Sequence, residues 1–114
     1  MDQKLEKYQQ ILTAVLKEYA AAFDQSSNGD VRSQVICDYP NNHFQLLRLG
    51  WDKDQYRFGV IFHFDILNGK IWLQQNRTDI LIARELVQRG VPKDDIVLGL
   101  QPPEARPYTE YAAA

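Results

Sequence analysis

HFQLLRLGW (His43–Trp51), YRFGVIFHFDIL (Tyr56–Leu67) and KIWLQQN (Lys70–Asn76) are three runs rich in β-branched and aromatic residues. Asp52–Gln55 separates the first two, and Asn68-Gly69 the last two. This is the pattern of an antiparallel meander. Asn-Gly suits a two-residue hairpin loop, because both positions need positive φ. That loop sets Leu67 opposite Lys70, Ile66 opposite Ile71, Phe64 opposite Leu73 and His63 opposite Gln74. A four-residue loop at Asp52–Gln55 sets Trp51 opposite Tyr56, Leu49 opposite Phe58 and Leu47 opposite Val60. Uninterrupted alternation then gathers Tyr56, Phe58, Val60, Phe62, Phe64 and Ile66 on one face with Leu47, Leu49, Trp51, Ile71 and Leu73. Such a face must be covered. The opposite face mixes Arg57, Gly59, Asp65, Gln74 and Asn76 with Phe44, Leu46, Ile61 and Trp72.

Upstream, Asp2 caps an amphipathic helix in which Leu5, Tyr8, Leu12, Val15, Tyr19 and Ala22 recur at helical spacing. Asp24–Asp30 reads as a loop. Val31–Tyr39 alternates as a first strand, joined to the meander by a three-residue turn at Pro40–Asn42. That register sets Val35 beside Leu47, with Cys37 pointing inward. Downstream, Thr78 caps a second helix, ILIARELVQR (Ile80–Arg89), which Gly90 ends. Lys93–Asp95 is a turn and Ile96–Leu100 a short fifth strand, parallel to its neighbour because a helix intervenes. Three prolines keep the tail from Gln101 onward irregular, with Tyr108 and Tyr111 as anchors. The expected fold is therefore one α+β domain over residues 1–114. It consists of an N-terminal helix, a four-stranded antiparallel meander, a second helix and a short fifth strand, with both helices on one sheet face.

A chain of 114 residues with 45% hydrophobic content suits one domain with one core. Its longest apolar runs fall short of a bilayer span, so no membrane association is expected. The start MDQKLEKYQQ lacks a secretory apolar region, and the lone Cys37 fits a reducing cytoplasm. Thirteen basic against fifteen acidic side chains give a net charge of −2, which disfavours a long phosphate footprint.

His43 and His63 are the only imidazoles. His63 and Asp65 share a strand face, with Gln74 across from them, forming the one polar cluster worth testing as a site. The two histidines are expected on opposite faces, and a metal centre would need more ligands than that, so neither metal nor cofactor is expected. The chain has no phosphate loop, nucleophile elbow or zinc-protease helix, and Cys37 has no activating neighbour, so no catalytic residue is assigned. Phe44, Leu46, Ile61 and Trp72 form an apolar patch that helices on the far side cannot cover. It is a candidate homo-oligomer interface, unless the tail or the first helix covers it within one chain.

LEKYQQIL (Leu5–Leu12), GKIWLQQNRTD (Gly69–Asp79), IARELVQRGVPKDDIVLGLQPPE (Ile82–Glu104) and RPYTEYA (Arg106–Ala112), in that order, resemble the XisI family nearly end to end. These are cyanobacterial controlling factors for excision of the fdxN element. Asn76-Arg77 stands before Thr78 where the family more often has an acidic residue and a glycine. The resemblance implies a role in site-specific DNA rearrangement, with a separate recombinase cutting DNA and a XisH-like protein as partner. It supplies no catalytic residues. Two classes of mechanism compete: a regulator acting by protein–protein contact, and a DNA-binding directionality factor. An enzyme using His63 and Asp65 is a third. The acidic balance favours the regulator.

Overall fold

The computed structural model describes residues 2–27 and 29–114. Helix α1 (Gln3–Gln25) begins where the Asp2 carboxylate accepts the N–H groups of Lys4 and Leu5 at 3.0 and 3.1 Å. It buries Tyr8, Leu12, Val15 and Leu16, a stripe at spacings of three and four. The helix takes in Asp24 and Gln25, so the loop predicted over Asp24–Asp30 starts later than expected, and Asn28 lies outside the described residues. Strands β1 (Arg32–Asp38), β2 (His43–Asp52), β3 (Gln55–Leu67) and β4 (Lys70–Asn76) form the antiparallel meander. Helix α2 (Ile82–Gln88) then crosses to β5 (Ile96–Leu98), which pairs parallel to β4. The sheet order is β1-β2-β3-β4-β5, an α+β architecture with both helices contributing to one core on one sheet face. Among the described residues no helix is long and apolar enough to cross a membrane.

Three registers differ from expectation. The β1–β2 connection spans four residues, Tyr39–Asn42, with Asn42 at φ 60°. Val35 therefore opposes Leu46 rather than Leu47, while Cys37 still packs against the core. Between β2 and β3, Leu47 faces Val60 but Leu46 faces Phe62, so Ile61 is an extra residue in a bulge. Between β3 and β4, Phe64 faces Leu73 but His63 faces Gln75, so Gln74 is extra and the predicted His63–Gln74 pair is not formed.

A bulge shifts the phase of alternation by one residue. The apolar face drawn from uninterrupted alternation thus divides in two. Phe62, Phe64, Ile66, Ile71 and Leu73 turn to the helices, joined by Phe44 and Leu46. Leu47, Leu49, Trp51, Tyr56, Phe58 and Val60 turn the other way. Phe58, placed in the core from its spacing, is 66% exposed.

Helix α2 is shorter than its apolar period suggested. Thr78 does not cap it. The Thr78 N–H and hydroxyl both donate to Asn76 Oδ1, and the hydroxyl accepts from the Ile80 N–H, closing a local turn. Short polar side chains compete with the helix in this way. The C-terminus follows expectation: Gly90 has φ 106°, and the Gly90 and Val91 N–H groups reach back to Val87 and Leu86. Lys93–Asp95 forms one 3-10 turn, and another, Arg106–Tyr108, interrupts the tail. The tail then returns along β5, with the Ala112 N–H donating to Ile96 O at 2.8 Å and a parallel bridge between Val97 and Ala112. Tyr111 packs against the core, whereas Tyr108 is exposed and anchors nothing.

The helices are tied by polar contacts as well. Arg89 joins Glu18 at 2.8 Å and Glu85 at 3.0 Å, and the Tyr19 hydroxyl donates to Glu85. That hydrogen bond, with partial burial, pushes the Tyr19 phenol up to about 12. Because the folded value lies above the unfolded one of about 10, the bond's contribution is complete below about pH 10 and is lost as pH rises through about 12. The urea midpoint should therefore fall across this interval. Tyr19→Phe should cost about 1.5–3 kcal/mol at pH 7 and flatten part of the alkaline slope. An unchanged slope in the variant would exclude Tyr19 as its source.

Candidate functional site

On the sheet face away from the helices, β2 and β3 place a polar cluster beside an aromatic strip. The cross-strand pair His43↔Asp65 and its neighbour Gln45↔His63 build the cluster. All four side chains share one face, since residues two apart on a strand point the same way. His43 Nδ1 and His63 Nε2 converge on one oxygen, Asp65 Oδ1, at 2.7 and 2.8 Å. The two rings are 6.2 Å apart between centroids. Gln45 Oε1 lies 2.9 Å from His63 Nδ1, and Gln74 Nε2 donates to Asp65 Oδ2 at 3.3 Å. Partial burial alone would raise the Asp65 carboxyl. Hydrogen bonding with His43, His63 and Gln74, and the charge of His63, outweigh that and hold it below the ordinary carboxylate range.

His63, Asp65 and Gln74 thus meet as their spacing predicted, although Gln74 arrives from the bulge instead of from a paired position. His43 and Gln45 were not foreseen as members. The histidines were expected on opposite faces, but the pairing of His43 with Asp65 puts them on the same one. The register of a long hairpin carries that information, and one displaced pair reverses it.

The predicted interface patch needs correction. Phe44 and Leu46 are fully buried in the core. The bulge at Ile61 aligns them with Phe64 and Phe62 beneath the helices. Ile61 is the bulged residue itself, half-buried against the same core. Trp72 does lie opposite Asp65 on the open face, but the tail covers it. The Arg106 guanidinium sits 5.1 Å from its ring and is held by Gln101 O and Gly99 O. Cover by the C-terminal tail was the competing expectation for this patch.

What the open face does expose is a different set. Trp51, Tyr56 and Phe58 are 55%, 53% and 66% exposed, with the Trp51 and Tyr56 rings packed edge to face at 5.3 Å. Leu49 and Val60, both half-buried, continue the strip toward the buried Leu47 and the histidines. Arg48 and Arg57 alternate with this strip and so turn to the opposite face, where both are already engaged. Arg48 bonds Asp24 and Ser33, and Arg57 bonds Asp52 and Gln55.

A profile of the XisI protein family matches residues 1–113. Among solved structures, a XisI-like protein from Anabaena variabilis ATCC 29413 is 48% identical, with a TM-score of 0.88 over 96% of this chain and 99% of that one. The fdxN element excision controlling factor XisI from the same organism is 32% identical, with a TM-score of 0.80 over 98% and 100%. The search of curated proteins finds no significant match. Sequence match and backbone likeness both run the length of the chain, through the meander, the crossover helix and the tail: the chain belongs to the XisI family.

Proposed function

We propose that this chain is a non-enzymatic controlling factor, acting in the cytoplasm on excision of a DNA element of the fdxN type through contact with a XisH-like protein. Its family and its 32% identity to a protein named as that controlling factor support the role in excision. The observation that carries the mode of action is the exposed strip Trp51–Tyr56–Phe58 on an uncovered sheet face. Contiguous exposed aromatics of this kind mark protein contacts. The charge balance points the same way: a net charge of −2, with Arg48 and Arg57 already paired, offers little to a phosphate backbone.

The test is co-expression of the tagged chain with a XisH-like protein. The two should co-purify, and Phe58→Glu should abolish capture while leaving the circular dichroism spectrum unchanged. In parallel, the isolated chain is titrated with DNA at low salt, where electrostatic binding is strongest. Tight, salt-sensitive binding by the chain alone would replace this reading with that of a DNA-binding directionality factor.

A further inference from the structure

We propose that His43, His63 and Asp65 form a binding site for a late first-row divalent metal ion such as Zn2+, on the open face of the sheet. The ligand atoms of the three side chains all lie within 4.8 Å of one another. Two imidazole nitrogens and one carboxylate oxygen are a donor set for zinc, cobalt or nickel rather than for magnesium or calcium, which prefer oxygen alone. Two donors about 2.7–2.8 Å apart, each bound at about 2.1 Å, subtend about 80° at an ion, which suits an octahedral face, as for Co2+ or Ni2+; a tetrahedral Zn2+ would draw the donors apart to about 3.4 Å.

The arrangement of hydrogen bonds leads to the same place. Gln45 Oε1 takes the His63 Nδ1 proton, so a neutral His63 presents its Nε2 lone pair to Asp65 Oδ1 at 2.8 Å. Two lone pairs at that distance repel unless a cation lies between them. In the metal-free protein a proton on His63 Nε2, with His43 in its Nδ1–H tautomer, satisfies the same contacts. A metal ion accepts His43, His63 and the carboxylate together. Gln45 on the distal nitrogen of His63 and Gln74 on the second oxygen of Asp65 are the outer contacts that orient metal ligands. The ligands stand on two paired strands, so little ordering is left to binding. His43 is half-exposed, which leaves room for its ring to adjust and for water, or a side chain of a docked protein, to complete the coordination. The inference stands apart from the proposed partner, since it concerns only groups within this chain.

Tag-free, chelator-treated protein titrated with Zn2+ by calorimetry should bind one equivalent, and Mg2+ should not bind. Co2+ should give visible absorption bands that report nitrogen and oxygen ligation. His43→Ala, at a half-exposed position, should keep the melting profile and weaken Zn2+ binding by about tenfold or more. Gln45→Ala, which removes only an outer contact, should weaken it by about tenfold. Absence of Zn2+ and Co2+ binding to the wild type at millimolar metal would overturn the proposal, as would binding that His43→Ala and His63→Gln leave unchanged.

Discussion

Phe62→Asp should abolish folding, whereas Phe58→Asp, four residues earlier on the same strand, should leave a soluble, cooperatively melting protein. Phe62 is fully buried, its ring 5.8 Å from Tyr19, 6.5 Å from Phe23 and 6.4 Å from Phe64. Removing a core phenylalanine costs about 3–5 kcal/mol, and an unpartnered carboxylate in its place costs several more. Together these approach the whole stability of a small domain, about 5–15 kcal/mol. Phe58 is mostly in solvent, and substitutions at such positions stay within about 0.5–1 kcal/mol. Far-UV circular dichroism and a thermal melt separate the outcomes. Equal damage at both positions would mean that alternation runs unbroken through Ile61.

Gly50→Ala should be the most damaging methyl insertion on the sheet. Gly50 has φ +137°, and a Cβ there would sit 2.4 Å from Asp30 O and 3.0 Å from Val31 Cα. The backbone conformation alone costs an alanine about 1–3 kcal/mol. The obstructing atoms are main chain, so relief requires moving the segment that enters β1, where the Asp30 N–H also bonds Trp51 O. A fall in melting temperature of about 10 °C or more is expected. Gly29→Ala is the control, since its nearest obstacle is 3.6 Å away. Comparable melting of the two variants would count against the close approach at Gly50.

The elements and their pairing partners were legible because each has a strong local signal: the capped stripe of α1, Asn68-Gly69, and the strand–helix–strand spacing that made β5 parallel. The bulges were not. Val60-Ile61-Phe62 and Leu46-Leu47 are apolar without interruption, so a shift in phase leaves the pattern of apolar residues looking intact. Gln74-Gln75 hides the second shift in the same way. That is why Phe44 and Leu46 were placed on the outer face and Phe58 on the inner, and why His43 was separated from His63. Half of the polar cluster, His63 with Asp65, needed only the two-residue period of one strand. The other half depended on a cross-strand register that no local signal specifies. At Thr78 the misreading was of competition: a side chain able to cap a helix closed a turn with Asn76 instead.

The tail that folds back on β5 also bears on how copies of this chain can join. Ala112 occupies the outer rail of β5, while β1 has no strand on its outer side among the described residues, the Ser33 N–H being held there by Asp24 alone. Strand addition is the usual route by which sheets fuse. A fibre needs two adhesive rails per molecule, one to receive and one to pass on. With one rail occupied by its own C-terminal segment, two chains meeting along β1 use up what each has to offer, and growth by that route ends at a pair.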